Sequence, residues 1–306
     1  MQVPAFAILV HNEPKRLLHL LRTLQGFEIY IHIDRFADRL SIISAIQGID
    51  LKTTYIIPES KSIGGAWGGY SLVEIQFKLI EEFLSKTEDN GPLIFLSGQD
   101  FPIKPLADFK NYLNCKKDFF SIQIIDKKKI AAGESTEIAR LNRIRYLHLQ
   151  DFRIFRYAKD RKSIRYKIGS IPSGLLRRLH LPNFKFNPVK DYFIGSQWIG
   201  LSKKKCEMLL IERSLLRTEF RFSFCPDEIA MQTFLGRKLS NKSCVAIKNK
   251  NEFDSVIDAD FHLIHPSLAY YWQIEDLNLI LKTSKFFIRK PSWELLLKLN
   301  ATVIAE

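Results

Sequence analysis

An α/β fold is predicted by three features of the sequence. The N-terminal third alternates short apolar runs with segments of helical period, the pattern of strands joined by crossover helices in a parallel sheet. Acidic residues, Asp34 and Asp100, stand at or just beyond the ends of two such runs. The chain has 306 residues, 46% hydrophobic and 26% charged, which is the composition of a globular protein with enough length to bury a substantial core.

The elements follow in order. Residues 3–10 read as a buried strand, and Asn12 and Pro14 then start a helix with Leu17, Leu18, Leu21 and Leu24 on one face. Residues 29–33 form a second strand ending at Asp34, and residues 53–57 a third. Gly64-Gly65-Ala66-Trp67-Gly68-Gly69 is a turn whose glycines let a backbone approach a ligand, and it feeds a helix from Tyr70 to about Leu84. A short apolar strand at 93–96 runs into Ser97-Gly98-Gln99-Asp100. The middle, residues 127–190, is less regular. From Tyr192 a strand runs through Leu201, a helix follows over 203–213, and Cys225-Pro226-Asp227-Glu228 opens a helix at 229–235. The C-terminal part reads as a strand at 261–264 and helices at 274–283 and 293–299. No internal repeat is visible.

Charge narrows the function classes. Residues 127–190 hold seventeen Lys or Arg against four Asp or Glu, an excess equal to the +13 of the whole chain. Interleaved with Tyr146, Phe152, Phe155, Tyr157 and Tyr166, this segment suits an anionic membrane face, an acidic glycan, nucleic acid, or simply solvent. Scattered spacing and the absence of helix-turn-helix, zinc-finger or RNP-like patterns argue against nucleic acid. Cys115, Cys206, Cys225 and Cys244 show no metal-ligand or redox spacing, which favours free thiols in a reducing compartment. No apolar run approaches the roughly 18 residues that span a bilayer, and residues 1–4 do not begin a signal peptide, so a cytoplasmic location is expected.

Chemistry-bearing residues fall into five groups. Asp227 and Glu228 are adjacent carboxylates at a predicted helix start, read either as an ordinary acidic first turn or as a general base, Glu228, at a pocket mouth. Ligands of open α/β sheets sit at the carboxyl ends of strands, which is where Asp34 and Asp100 fall and where a nucleotide would bind. Trp67 and Trp198 are either core residues or platforms for a sugar face. Asp258-Ala259-Asp260 is a literal Asp-x-Asp, read as a loop or strand edge, which keeps a metal-dependent alternative open. His262 and His265, three apart on a predicted strand, face opposite sides and do not share a metal.

The blocks Ile31-His32-Ile33-Asp34, "LSGQDFPIK" at 96–104, "GSQWIGLS" at 195–202, Pro226-Asp227-Glu228 and Phe286-Phe287-Ile288-Arg289-Lys290 occur in this order. In order and approximate spacing the chain resembles the core-2/I-branching β-1,6-N-acetylglucosaminyltransferase family, which also holds the protein xylosyltransferases, from about residue 5 to residue 295. The resemblance implies a GT-A-like glycosyltransferase fold in one domain, 1–306, with a Rossmann-like nucleotide-binding half at 1–126 and an acceptor-side half at 127–306. It implies inverting transfer of N-acetylglucosamine or xylose from a UDP-sugar to a glycan hydroxyl, with no divalent metal. Glu228 would be the base and Asp227 its support. His11, Asp34, Asp100, Arg289 and Lys290 would contact the donor, with His11 and Asp34 near the uridine. Ser196, Gln197, Trp198 and Trp67 would face the acceptor.

Departures from the family pattern are informative. Vertebrate members carry an Arg just after a His ahead of the final basic motif; this chain has His265-Pro266-Ser267, so that diphosphate contact comes from elsewhere or is missing. Metal-dependent sugar transferases place Asp-x-Asp after the strand at 93–96, and here only Asp100 is present. Showing no anchor, stem or disulfides, the chain looks like a bacterial, cytoplasmic enzyme that docks on the inner membrane face through its basic segment. The rival from another class is a non-catalytic basic protein that binds nucleic acid or polysaccharide.

Overall fold

Alternation along the first strand organises the architecture. In β1 (Ala5–Val10), Ala5 and Ala7 join one hydrophobic cluster while Phe6, Ile8 and Val10 join another. Successive strand side chains point to opposite faces, so a strand buried on both sides belongs to the interior of a sheet covered by helices above and below. The computed structural model, which describes residues 3–49, 53–87, 91–114, 120–151, 178–239, 259–267 and 269–303, has that arrangement.

The central sheet has the order β3-β2-β1-β4-β8. β1 pairs in parallel with β2 (Ile29–Ile33) and β4 (Leu93–Ser97), β2 with β3 (Thr54–Ile56), and β8 (Gly200–Leu201) closes the far edge antiparallel to β4. Helices α1 (Pro14–Thr23), α2 (Arg39–Ile46) and α4 (Leu106–Asn114) cover one face. The other carries α3 (Ser71–Lys86) together with the helices Lys203–Ile211 and Ala230–Leu239. The chain winds outward from β1 to β3, then crosses back to β4, so the strand order reverses between β1 and β4. Such a switch point opens a crevice at the carboxyl ends of the strands.

Two smaller sheets complete the structure: β5 (Asp100–Pro102) with β10 (Phe287–Arg289) and β9 (His262–Leu263), and β6 (Ile122–Ile124) with β7 (Phe193–Gly195). The antiparallel β5–β10 register sets Asp100 opposite Arg289, residues almost two hundred positions apart.

Several predicted elements need correction. The strand expected from Tyr192 through Leu201 is two strands in different sheets, because Ser196 Oγ accepts a 3.1 Å bond from the Trp198 N–H and turns the chain between them. A Cβ at Gly195 would lie 2.3 Å from the Ser121 carbonyl oxygen, so only glycine permits the β6–β7 approach. The helix expected to begin at the Pro-Asp-Glu segment is instead a 3-10 turn, Pro226–Glu228, separated from the helix Ala230–Leu239 by Ile229 at φ −131°. Its carboxylates therefore do not cap an α-helix. The N-cap position of helix α1 is held not by Asn12 but by Glu13, in the left-handed region at φ 53° and without a side-chain capping bond. The helix expected at 274–283 is a 3-10 turn, Ile274–Asp276, followed by the helix Leu277–Lys282.

Among the described residues no helix is long and apolar enough to cross a membrane. Cys206 and Cys225 are free thiols, whereas Cys115, Cys244 and residues 152–177 of the basic segment lie outside the described residues.

Candidate active site

At the carboxyl ends of β1, β2 and β4 lies a cavity of about 480 Å³, within the range of small-molecule sites. His11, Asp34, Trp67, Gln197, Trp198 and Arg289 all line it, so six of the residues singled out from sequence converge here. They come from five separate segments of chain.

His11 follows directly after β1. Burial lowers its pKa, and the nearby Arg289 lowers it further, so the ring is neutral near pH 7 and offers one donor and one acceptor. Asp34, after β2, accepts from the N–H groups of Phe36 (2.8 Å) and Gly65 (2.6 Å). Its carboxylate thus clamps the glycine turn to the sheet as well as lining the cavity. His32, one residue before the strand end, accepts from the Ile63 N–H at 2.9 Å, and burial brings its pKa to about 4, so it holds the same turn as a neutral ring. Trp67, at the tip of this turn, is 58% exposed and meets Phe224 edge-on with centroids 5.5 Å apart.

The opposite wall is built by long-range pairing. The Arg289 guanidinium lies over the Trp198 ring, 4.4 Å from its centroid, and reaches the Asp100 carboxylate at 3.3 Å. Asp100 is fully covered. Its other oxygen accepts from the Ser97 N–H at 2.7 Å and lies 3.3 Å from His262 Nε2. Asp100 therefore sits behind Arg289 rather than in the cavity. Lys290 also lies off the cavity lining; its backbone adopts φ 67°, with its N–H on the Gln99 carbonyl and its Nζ 5.9 Å from the Tyr271 ring centroid.

The Pro-Asp-Glu turn is joined to the cavity rim. The Cys225 N–H donates to the Gly68 carbonyl at 2.9 Å, next to Trp67. Gln232 donates through Nε2 to the carbonyls of both Ser196 (2.8 Å) and Asp227 (3.1 Å), tying the turn to the "GSQW" bulge. Ser196 itself is buried and contributes that carbonyl rather than a cavity-facing hydroxyl. Glu228 Oε2 accepts a 2.7 Å bond from Arg143, whose guanidinium also bonds the carbonyls of Cys225 and Phe224. Burial raises the Glu228 carboxyl, and Arg143 opposes that rise. Asp227 is buried without a partner on Oδ1, and burial, with the Glu228 charge, pushes its pKa up to about 7. The environments thus divide the two carboxyls: Glu228 beside a cation, Asp227 in the interior.

Sequence reasoning missed Arg143, Gln76 and Gln232, and weighed His262 only as a metal ligand. Gln76 Nε2 donates to the Gln197 carbonyl at 3.2 Å, so buried amides on two helices hold the bulge from both sides. Each amide interrupts an otherwise apolar helix face, and that anomaly is readable. Arg143 carries no comparable signal among seventeen cations.

His262 stays beside Asp100, whereas His265 stacks on Tyr270 with centroids 4.1 Å apart, so the two do not meet. Asp258 lies outside the described residues, and among those described no three His, Cys, Asp or Glu side chains assemble into a metal-holding group.

The sequence matches the family model described as Core-2/I-branching enzyme over residues 4–265, a span that contains the parallel sheet, the cavity turn, the "GSQW" bulge and the Pro-Asp-Glu turn. With the parallel α/β sheet and its strand-end cavity as observed, this match places the chain in the Core-2/I-branching enzyme family, as a glycosyltransferase of GT-A-like fold.

Proposed function

We propose that the strand-end cavity holds a UDP-sugar and that Glu228 takes the proton of an acceptor hydroxyl during inverting transfer of N-acetylglucosamine or xylose. The observation that carries this reading is the division of labour on the Glu228 carboxylate. Oε2 is held by Arg143, while Oε1 has no partner among the described residues and is left to accept from a hydroxyl. A hydroxyl attacks an anomeric carbon well only if its proton leaves as the new bond forms. Burial helps, because a carboxylate with a raised pKa is a stronger base. Asp227, protonated up to about pH 7, supports Glu228 without adding a second negative charge.

The step then balances simply. The acceptor oxygen bonds to the anomeric carbon, the bond from that carbon to the β-phosphate oxygen breaks, and the proton passes to Glu228. One base and one displacement invert the anomeric configuration. Charge developing on the diphosphate is met by Arg289 from the cavity lining; Lys290, the next residue, lies off that lining and contributes only a more distant positive charge. Arg289 is well suited, since a guanidinium pairs phosphate oxygens in bidentate fashion and this one is already oriented by Trp198 and Asp100. A divalent metal does not fit this wall: the one carboxylate after β4, Asp100, is buried and committed to Ser97 and Arg289. His11 and the rim of the Asp34 turn would receive the uracil.

Purified protein incubated with a panel of UDP-sugars, with and without EDTA, tests the reading. Hydrolysis or transfer from one donor in both conditions is expected. A thermal shift with UDP separates the enzyme from a basic binding protein, because a nucleotide site stabilises the fold by mass action.

A further inference from the structure

A second cavity, of about 730 Å³, is lined mostly by the basic segment and shares no lining residue with the cavity at the ends of β1, β2 and β4. Its floor is apolar, with Ile125, Ile130, Leu141 and Phe186, and its exposed polar lining residues are Lys127, Arg145, His180 and Lys190. Beside it, residues 178–190 expose Leu179 (57%), Phe184 (68%) and Val189 (83%), interleaved with Arg178, His180, Lys185 and Lys190. What sets this stretch apart from the chain's other exposed apolar residues is the basic residue next to each of its three, with Phe184 itself resting against Phe222 and under Lys185. The stretch is held in place rather than loosely draped. Asn183 is buried and donates to the Ile144 carbonyl at 2.9 Å; its own N–H bonds the Arg145 carbonyl, and the Leu147 N–H bonds that of Leu181. Lys127 and Lys190 are paired with Asp191 and Glu219, whereas Arg145, Arg178 and Lys185 have no ion-pair partner among the described residues.

We infer that this surface seats the protein on an anionic lipid bilayer, with lipid phosphates at the cationic mouth of the cavity and Leu179, Phe184 and Val189 in the acyl boundary. The two halves of the surface select that occupant together. A nucleic acid or acidic glycan would satisfy the cations but leave the three apolar side chains in water, and a neutral bilayer would take the apolar groups but not the charge. The inference goes beyond the catalytic reading and does not rest on it.

Co-sedimentation with vesicles tests it. Wild-type protein is expected to bind phosphatidylcholine vesicles containing phosphatidylglycerol, to release as salt rises, and to ignore phosphatidylcholine alone. The triple variant Leu179→Ser, Phe184→Ser, Val189→Ser, which alters only exposed side chains, is expected to lose more than tenfold in partitioning with its charge unchanged. Arg145→Gln, Arg178→Gln and Lys185→Gln together should lose about a hundredfold, at roughly fivefold for each cation near an anionic surface. Both variants should keep the wild-type thermal shift with UDP, which separates failure here from failure of the nucleotide site. Undiminished vesicle binding by the apolar variant would overturn the inference. So would absence of binding to the anionic vesicles, or a surface that takes inorganic phosphate or a protein partner but no vesicle.

Discussion

Replacing Glu228 by Gln isolates its proposed role, because the change removes basicity and little else. Glutamine has the same length, and its side-chain oxygen can still accept from Arg143, whose other bonds, to the carbonyls of Cys225 and Phe224, do not involve position 228. Two effects on stability oppose each other. A charge-assisted bond becomes a neutral one, a loss of the order of 1.5 kcal/mol, while burial of one charge beside Asp227 is relieved. The variant should therefore melt within a few degrees of wild type. Turnover should fall much further, since loss of a positioned general base costs about 10² to 10⁴ in rate, or roughly 3 to 5 kcal/mol in the barrier. Glu228 does not line the donor cavity, so UDP affinity should be unchanged. The assay is the initial rate of UDP release with donor and acceptor, alongside calorimetric UDP binding. Retention of more than half the wild-type turnover would refute the assignment. A tenfold loss of UDP affinity would instead place the residue on the donor side.

Other perturbations probe the surroundings of this group. Arg143→Met should cost about 3 kcal/mol in stability by stripping a mostly buried carboxylate of its cation, and should move the acidic limb of the rate–pH profile upward; an unmoved limb would separate Arg143 from the base. Asp227→Asn should flatten the dependence of stability on pH. The folded protein holds that proton to about pH 7 while the unfolded chain releases it near 3.8, so the associated stability is complete below pH 3.8 and lost as pH rises to about 7. Urea denaturation at pH 4 and pH 8 reads this directly, and an unchanged gap between the two would contradict it. Activity should persist in excess EDTA, and Arg289→Ala, in the cavity lining, should weaken UDP binding by about 1.5 to 3 kcal/mol, while Lys290→Ala, off that lining, should cost less; rescue of an EDTA-silenced enzyme by Mn²⁺ would point to carboxylate ligands instead.

How much of this was legible depends on what each residue's signal reports. β1, β2 and β4 were readable because strands buried on both faces leave continuous apolar runs, and their ends carry His11, Asp34 and the Ser97 turn. The Gly195–Leu201 stretch misled for the same reason. Its residues are nearly all buried, as a single strand's would be, yet the chain changes sheets within it, and what turns it is a hydroxyl–backbone bond that periodicity does not register. Asp100 occupied a ligand-binding position in the linear pattern, but the β5–β10 register turns it into a support for Arg289. Pairing across almost two hundred residues is invisible to local reading.

On the proposed reading the site must keep two negative centres in one cleft, the carboxylate base and the diphosphate, and each must be neutralised without quenching the other. A cation shared between them would lower the basicity of Glu228 as the phosphate charge grew. The chain separates the tasks: Arg143, from the helix Ser135–Arg145, holds one oxygen of Glu228, while Arg289, from β10, lies over the Trp198 ring in the cavity lining. The remaining problem is Asp227, whose ionisation would add a third negative charge. Burial answers it, because a carboxyl pushed up to about 7 keeps its proton below that pH, while Arg143 favours the charged form of Glu228. This explains why the partnerless Oδ1 of Asp227 is tolerated in the interior: a neutral carboxyl leaves far less uncompensated charge there than an ionised one would.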